Sequence, residues 1–156
     1  MKAIAKFLTG IVIVVALAAV YYIVSSKLPM RMEVSVVPAS VQKERFSQIT
    51  QEVSAGLYDG VSALDDINEY SFVTIIASAS NFSPFTAEWT QLSPKRLDGD
   101  LLICETDAGP KDIPPFQTGD LSVTILTKND SADRSGWLEY YIFGRFHSIL
   151  AESAIE

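Results

Sequence analysis

The chain has 156 residues and a formal net charge of −7. The part of the chain beyond residue 28 contains nine basic residues and all 19 acidic residues, so its net charge is −10. It is long enough to form one domain with its own core. A field of that sign repels phosphate groups, which argues against nucleic-acid binding and against polybasic attachment to anionic lipids. With one cysteine, Cys104, and one histidine, His147, the chain has no internal disulfide, thiolate metal site or two-histidine metal site.

An apolar run without charged residues extends from Phe7 to Val24. As a helix, its ~18 residues would reach about 27 Å, close to the roughly 30 Å of a bilayer's hydrocarbon core. Two lysines precede the run, and Tyr21 and Tyr22 stand where aromatic side chains mark a membrane interface. The pattern predicts a basic leader and membrane anchor over residues 1–28, followed by one folded domain over residues 29–156.

Three other interpretations of the apolar run stay open. The first is a cleaved signal peptide, because residues 16–18 form an Ala-Leu-Ala site, although cleavage there would leave an apolar new terminus. The second is a prepilin leader ending at Gly10, although Val15 stands where pilin-type helices usually carry glutamate. The third is a buried helix of a soluble protein. For an anchor, the small excess of basic residues before the run predicts that the domain lies on the extracytoplasmic side.

A strand and a helix are predicted to open the domain. Apolar and polar residues alternate from Met30 to Pro38, which indicates a half-buried strand. Ser40 is a candidate N-cap for a helix over about residues 41–55, where Phe46 and Ile49 begin an apolar stripe. We expect this stripe to cover the core of the domain itself; contact with a partner helix is the alternative.

Five further strands are indicated by β-branched, alternating or charge-free runs bounded by turn residues. Together with the first strand they predict a mainly β fold, an antiparallel sandwich of immunoglobulin or fibronectin type with the amphipathic helix inserted after its first strand. Cys104 is expected to be a small core residue. The five strands are expected over residues 70–80, 86–92, 101–106, 121–127 and 137–149.

The segment over about residues 70–127 resembles the type 2 late-embryogenesis-abundant (water-stress) domain. In both, an Asn-containing turn ends one strand, and an Ile-Pro-Pro segment leads into a later one. The resemblance implies a fibronectin-like or immunoglobulin-like sandwich, often anchored to a membrane, with no catalytic residues to carry over. The residues that carry it are Asn81, Pro84, Ile113, Pro114 and Gly119.

Polar clusters in the domain are interpreted as turns rather than as sites. Asp98, Gly99 and Asp100 fit a tight turn as well as they fit a pair of calcium ligands. Residues 129–135 have the alternate spacing of a calcium loop, but Arg134 stands where that loop needs glycine. Glycosylation sequons begin at Asn81 and Asn129, and both fit exposed turns. We therefore assign no catalytic, cofactor-binding or metal-binding residue.

The aromatic run near the end of the chain is the least ordinary feature of the domain. If residues 137–149 form one strand, Trp137, Tyr141 and Phe143 lie on one face of it. The apolar residues at even positions from Leu138 to Phe146 then line the other face and supply a good core.

A second contact is therefore predicted for the face that carries Trp137, Tyr141 and Phe143. It is expected to pack on the inserted helix through Phe46 and Ile49, or on a partner subunit. The chain is accordingly expected to be a non-catalytic, membrane-anchored accessory or structural subunit with protein partners. A pilin-like subunit processed after Gly10 and a metal-dependent ligand-binding module are the alternatives.

Overall fold

The computed structural model describes residues 2–58, 60–103 and 109–152. It contains two α-helices, eight β-strands and two short 3-10 turns in these ranges. Cys104 and the predicted end of its strand lie outside the described residues. The elements are α1 (Lys2–Ser25), β1 (Met30–Pro38), α2 (Lys43–Ser54), β2 (Ser71–Ser80), β3 (Ala87–Pro94), β4 (Leu101–Ile103), β5 (Lys111–Ile113), β6 (Thr118–Thr127), β7 (Ser135–Ile142) and β8 (Arg145–Glu152).

The strands form two antiparallel four-stranded sheets. The first sheet has the order β1-β2-β6-β4 and the second the order β5-β3-β7-β8. Their inner faces share one core, to which alternate residues of β2 and β6 contribute from one side and those of β3 and β7 from the other. The prediction of a mainly β fold with an apolar N-terminal helix is confirmed.

The N-terminal helix α1 is long and apolar enough to cross a membrane. The candidate span is Ile4–Ile23, and as 20 helical residues it extends about 30 Å. The residues of the span are exposed, apart from Tyr22, which is partly buried against the core of the domain. The core of the domain begins directly after the helix, because Leu28 is almost fully buried between the sheets.

The inserted helix α2 covers the outer face of the first sheet. Its apolar stripe is buried in a second cluster, separate from the core between the sheets. The helix begins at Lys43 rather than at residue 41, because Ala39–Val41 forms a 3-10 turn, and Gln42 rather than Ser40 occupies the N-cap position. The cluster contains Phe46, Ile49 and Val53 of α2, with Ala39, Tyr70, Phe72, Leu101 and Leu126.

The predicted last strand is in fact a hairpin. A two-residue turn at Phe143 and Gly144 separates β7 from β8, and both residues have positive φ, 52° and 71°. Because of this turn, the alternation of inward and outward side chains in β8 differs from that of one continuous strand. Phe146 therefore pairs with Tyr141 on the outer face instead of lying in the core. The prediction of one strand failed because Phe-Gly lacks the usual Asn or Asp of such turns.

Candidate interaction surface

The link between α1 and the sandwich is held by a buried tyrosine of β7. The Tyr140 hydroxyl donates a hydrogen bond to the Ser26 carbonyl oxygen (2.9 Å) and accepts one from the Leu28 amide (3.3 Å). Burial raises the pKa of Tyr140 above its ordinary value. The imidazole of His147 stacks on the Tyr140 ring at 5.2 Å, and burial with the nearby Arg145 charge lowers the His147 pKa. The end of α1 is thus attached to the second sheet.

The outer face of the second sheet carries exposed aromatic and apolar side chains, which we call the outer patch: Trp137, Tyr141, Phe146 and Leu150. The register places Trp137 beside Leu150 and Tyr141 beside Phe146 on the two strands of the hairpin. The Tyr141 and Phe146 rings pack with their centroids 5.4 Å apart. Each of the four residues remains between 42% and 51% exposed.

A glutamate divides the outer patch into two ends. Glu139 lies between Trp137 and Tyr141 on the same face of β7, and its carboxylate accepts hydrogen bonds from two side chains of β3. The donors are Gln91 Nε2 at 2.8 Å and Ser93 Oγ at 3.0 Å. These bonds fix the carboxylate at the centre of the patch, where it offers a negatively charged acceptor between two apolar ends.

A further exposed aromatic, Trp89, lies on the neighbouring strand β3. The pairing register shifts between Ala87 and Thr90, and Trp89 takes a positive φ of 53° at this irregularity. Its backbone amide donates to Asp112 Oδ1 (2.9 Å), and its side chain is 68% exposed. The alternation over residues 86–92 predicts an ordinary strand at Trp89, because nothing in the local sequence signals a bulge.

The structure separates the residues predicted to form one interaction surface. Trp137 and Tyr141 do share the outer face of β7, but Phe143 lies in the turn and packs on Phe85 at 5.1 Å. Phe46 and Ile49 are buried in α2 against the first sheet, on the opposite outside of the sandwich. The predicted contact between α2 and the aromatic face is therefore wrong, because α2 packs on the sheet that contains β2 rather than on the one that contains β7.

The acidic turn predicted at residues 98–100 is held by an ion pair. Gly99 has a φ of 82°, and Asp100 Oδ2 accepts from the Leu97 amide and from Arg134 Nη1, at 2.8 and 2.7 Å. In a second polar contact, Lys128 pairs with Asp65 and Glu69, which raise its pKa. Among residues 2–58, 60–103 and 109–152, no three His, Cys, Asp or Glu side chains are grouped to hold a metal ion.

Several residues that carry the family resemblance meet at one end of the sandwich. Asn81 is fully buried, and its Nδ2 donates to the Phe85, Ile113 and Pro114 carbonyls at 2.8–3.2 Å. The exposed turn expected at this sequon is therefore wrong, and the buried amide cannot accept a glycan in the folded domain. A Cβ on Gly119 would lie 2.8 Å from Ile113 Cγ1, so glycine is required by this close approach.

Comparison with protein-family models finds no matching family. Comparison with curated proteins finds no relative. Among solved structures, a FixG-related protein from Vibrio parahaemolyticus is similar over 80% of this chain and 94% of that chain, with 12% sequence identity and a TM-score of 0.38. At that TM-score the similarity carries no inference about this chain.

Proposed function

We propose that this chain is a non-catalytic, membrane-anchored subunit whose outer patch binds a protein partner. α1 is the anchor, the sandwich is of immunoglobulin or fibronectin type, and the domain lies on the extracytoplasmic side. The observation that carries the proposal is the exposure of four large apolar side chains together on one face of β7 and β8. Aromatic residues such as Trp, Tyr and Phe are enriched in protein interfaces relative to the rest of the surface.

The two outer faces of the sandwich differ in a way that favours this proposal. The first sheet carries α2 over Phe72 and Leu126, and beyond the helix its outer residues are largely Ser and Thr. Within the described residues, no helix or loop covers the outer patch of the second sheet in the same way. A contact from another chain would bury the patch as α2 buries its counterpart.

The test is the change Tyr141→Ser in the full chain, purified from membranes in mild detergent. Because Tyr141 is half-exposed, we expect its loss to cost well under the ~2 kcal/mol of a core truncation, while partner proteins no longer co-purify. The matched control is Ile76→Ser, which removes a similarly exposed apolar side chain (38%) from the outer face of the first sheet.

We expect the Ile76→Ser variant to retain its partners. If both variants lose the same proteins, or if neither loses any, the outer patch is not the binding surface. A large loss of stability in Tyr141→Ser would show instead that the residue supports the fold.

A further inference from the structure

Three loops and one linker meet at the end of the sandwich where α1 joins it, which we call the proximal end. The Ser80 amide donates to the Pro29 carbonyl (3.0 Å), so the end of β2 lies beside the linker. Ser80 pairs with Thr118 and Ala87 with Ile142, so the neighbouring connections lie at the same level. The proximal end comprises residues 26–29, 81–86, 114–117 and 143–144.

Every loop of the proximal end presents exposed phenylalanine. Half of the chain's eight phenylalanines lie in these short segments, and three of them are at least 59% exposed. Concentration of the most apolar aromatic residue at loop tips is unusual, since loops at a protein surface are ordinarily polar. The four residues are Phe82, Phe85, Phe116 and Phe143.

Charge is distributed in the opposite way. The four proximal segments contain no Asp or Glu, and their one charged residue is Lys27. The connections at the other end, residues 55–58, 60–70, 95–100 and 128–134, contain seven acidic residues. The negative field that argues against lipid binding for the whole domain is therefore concentrated away from α1.

The proximal phenylalanines are held in position at some cost to the backbone. Phe116 and Phe143 have φ values of 58° and 52°, a region that a bulky side chain rarely occupies. The buried Asn81 amide ties the loop containing Phe85 to the carbonyls that precede Phe116. Strained residues kept on a rigid support are a feature of functional surfaces rather than of idle turns.

The exposed rings continue from the membrane span itself. Tyr22, in the last turn of α1, packs against Phe85 with ring centroids 6.3 Å apart, and Phe85 packs against Phe143 at 5.1 Å. The candidate span ends at Ile23, so this last turn lies at the boundary between lipid and water. Phe85, which contacts this turn, lies at the same depth, and Phe143 packs directly against Phe85.

We infer that the proximal end rests in the headgroup region of the membrane that α1 crosses, with Phe82, Phe116 and Phe143 inserted among the lipids. The inference rests on the proposed anchorage by α1 and adds a second attachment to it. Rigid aromatic side chains on loop segments that contain no Asp or Glu are suited to this interface. With both attachments in place, β7 runs toward the membrane and ends near it at Ile142. Trp137 then lies about 17 Å farther from the membrane than Ile142. A partner would have to reach the outer patch at this height.

The test measures the depth of single probes on the full chain in phosphatidylcholine vesicles. An environment-sensitive fluorophore is placed on Phe116→Cys or Phe82→Cys, with Cys104 replaced by serine, and on Asp130→Cys at the acidic end as the control. We expect blue-shifted emission and strong quenching by spin-labelled lipid at both proximal positions, and neither at position 130. Phe82 does not have a positive φ, so its replacement by cysteine is not made at a strained position. The Phe82 probe therefore provides a second measurement if the Phe116 variant fails to fold.

Flotation of the same vesicles reports separately on the anchor. If the protein floats but both proximal probes remain in water, the inference is overturned while the anchorage stands. If the probes are shielded from water yet unquenched by the lipid labels, a protein surface covers the proximal end and the inference is equally overturned. If the protein does not float, the anchorage itself fails.

Discussion

At the scale of single residues, the ion pair between Asp100 and Arg134 has a larger structural role than its place in a polar turn suggests. Both side chains are buried, and the pair joins the connection after β3 to the loop before β7. Arg134 also donates to the Ser131 and Asn129 carbonyls, so its one guanidinium organises that loop. A calcium loop would need glycine at this position, whereas the arginine supplies the positive charge itself.

The change Asp100→Ala should therefore destabilise the domain strongly. It removes the buried carboxylate that pairs with the Arg134 guanidinium, and losses of about 3 kcal/mol are typical when one partner of a buried pair is removed. Thermal unfolding of the full chain in detergent, followed by circular dichroism, measures the effect. The matched control is Asp98→Ala in the same turn, where the side chain is exposed and we expect a change below about 0.5 kcal/mol.

A double variant separates the ion pair from the turn. Adding Arg134→Met to Asp100→Ala removes the second charge of the buried pair and should restore part of the lost stability. If the double variant is less stable than Asp100→Ala by the full cost of a second independent change, the two residues are not coupled as described.

At the scale of elements, the turn between β7 and β8 contains a residue type that is unfavourable for its conformation. Phe143 and Gly144 both have positive φ, as in a two-residue hairpin turn, where asparagine is the preferred first residue. A phenylalanine there costs stability that a fold-optimised sequence would avoid. Its exposed ring is consistent with the membrane contact inferred for the proximal end.

Replacing Phe143 by asparagine should leave the domain equally stable or stabilise it by up to about 1 kcal/mol, because asparagine tolerates positive φ. The same change should weaken the membrane contact of the proximal end. Phe143→Val is the control, since a β-branched residue at positive φ should lower the melting temperature. Equal destabilisation by Asn and Val would mean that the Phe143 ring supports the fold through Phe85.

The elements differ in how well sequence patterns predicted them. β1 alternates strictly, β2 and β6 are free of charge through most of their length, and α2 has an apolar stripe, so each was predicted within a few residues. No strand was predicted at β5, because three residues are too few to show a period. Which sheet α2 covers depends on packing between distant segments, and periodicity within one helix contains no information about it.

Local sequence patterns predicted only part of the candidate interaction surface, for the same reason. Trp137 and Tyr141 were predicted because a period of two within β7 places them on one face. Phe146 and Leu150 join them through the hairpin register, and the proximal phenylalanines meet only when three separate loops reach one end of the sandwich. Residues that are brought together by long-range pairing have no signature in the local sequence.

At the scale of the whole molecule, the structure divides into an apolar span, an aromatic proximal end and an acidic far end. Tyr140 links the first two, since its hydroxyl holds the linker while its ring lies in the core of the sandwich. A domain attached in this way would stand at a fixed angle on the membrane, with the outer patch facing sideways toward neighbouring proteins. Each of these consequences depends on α1 being retained in the membrane.

The most direct test of the account is the mass of the protein that resists alkaline extraction from membranes. Expressed as the 156-residue chain, it should remain in the pellet with residues 7–24 intact and a mass near 17.1 kDa. Loss of the first ten residues would indicate processing after Gly10, and loss of the first 18 would indicate a cleaved signal peptide. Either shorter product, or release of the full-length chain into the supernatant, would contradict the anchored subunit described here.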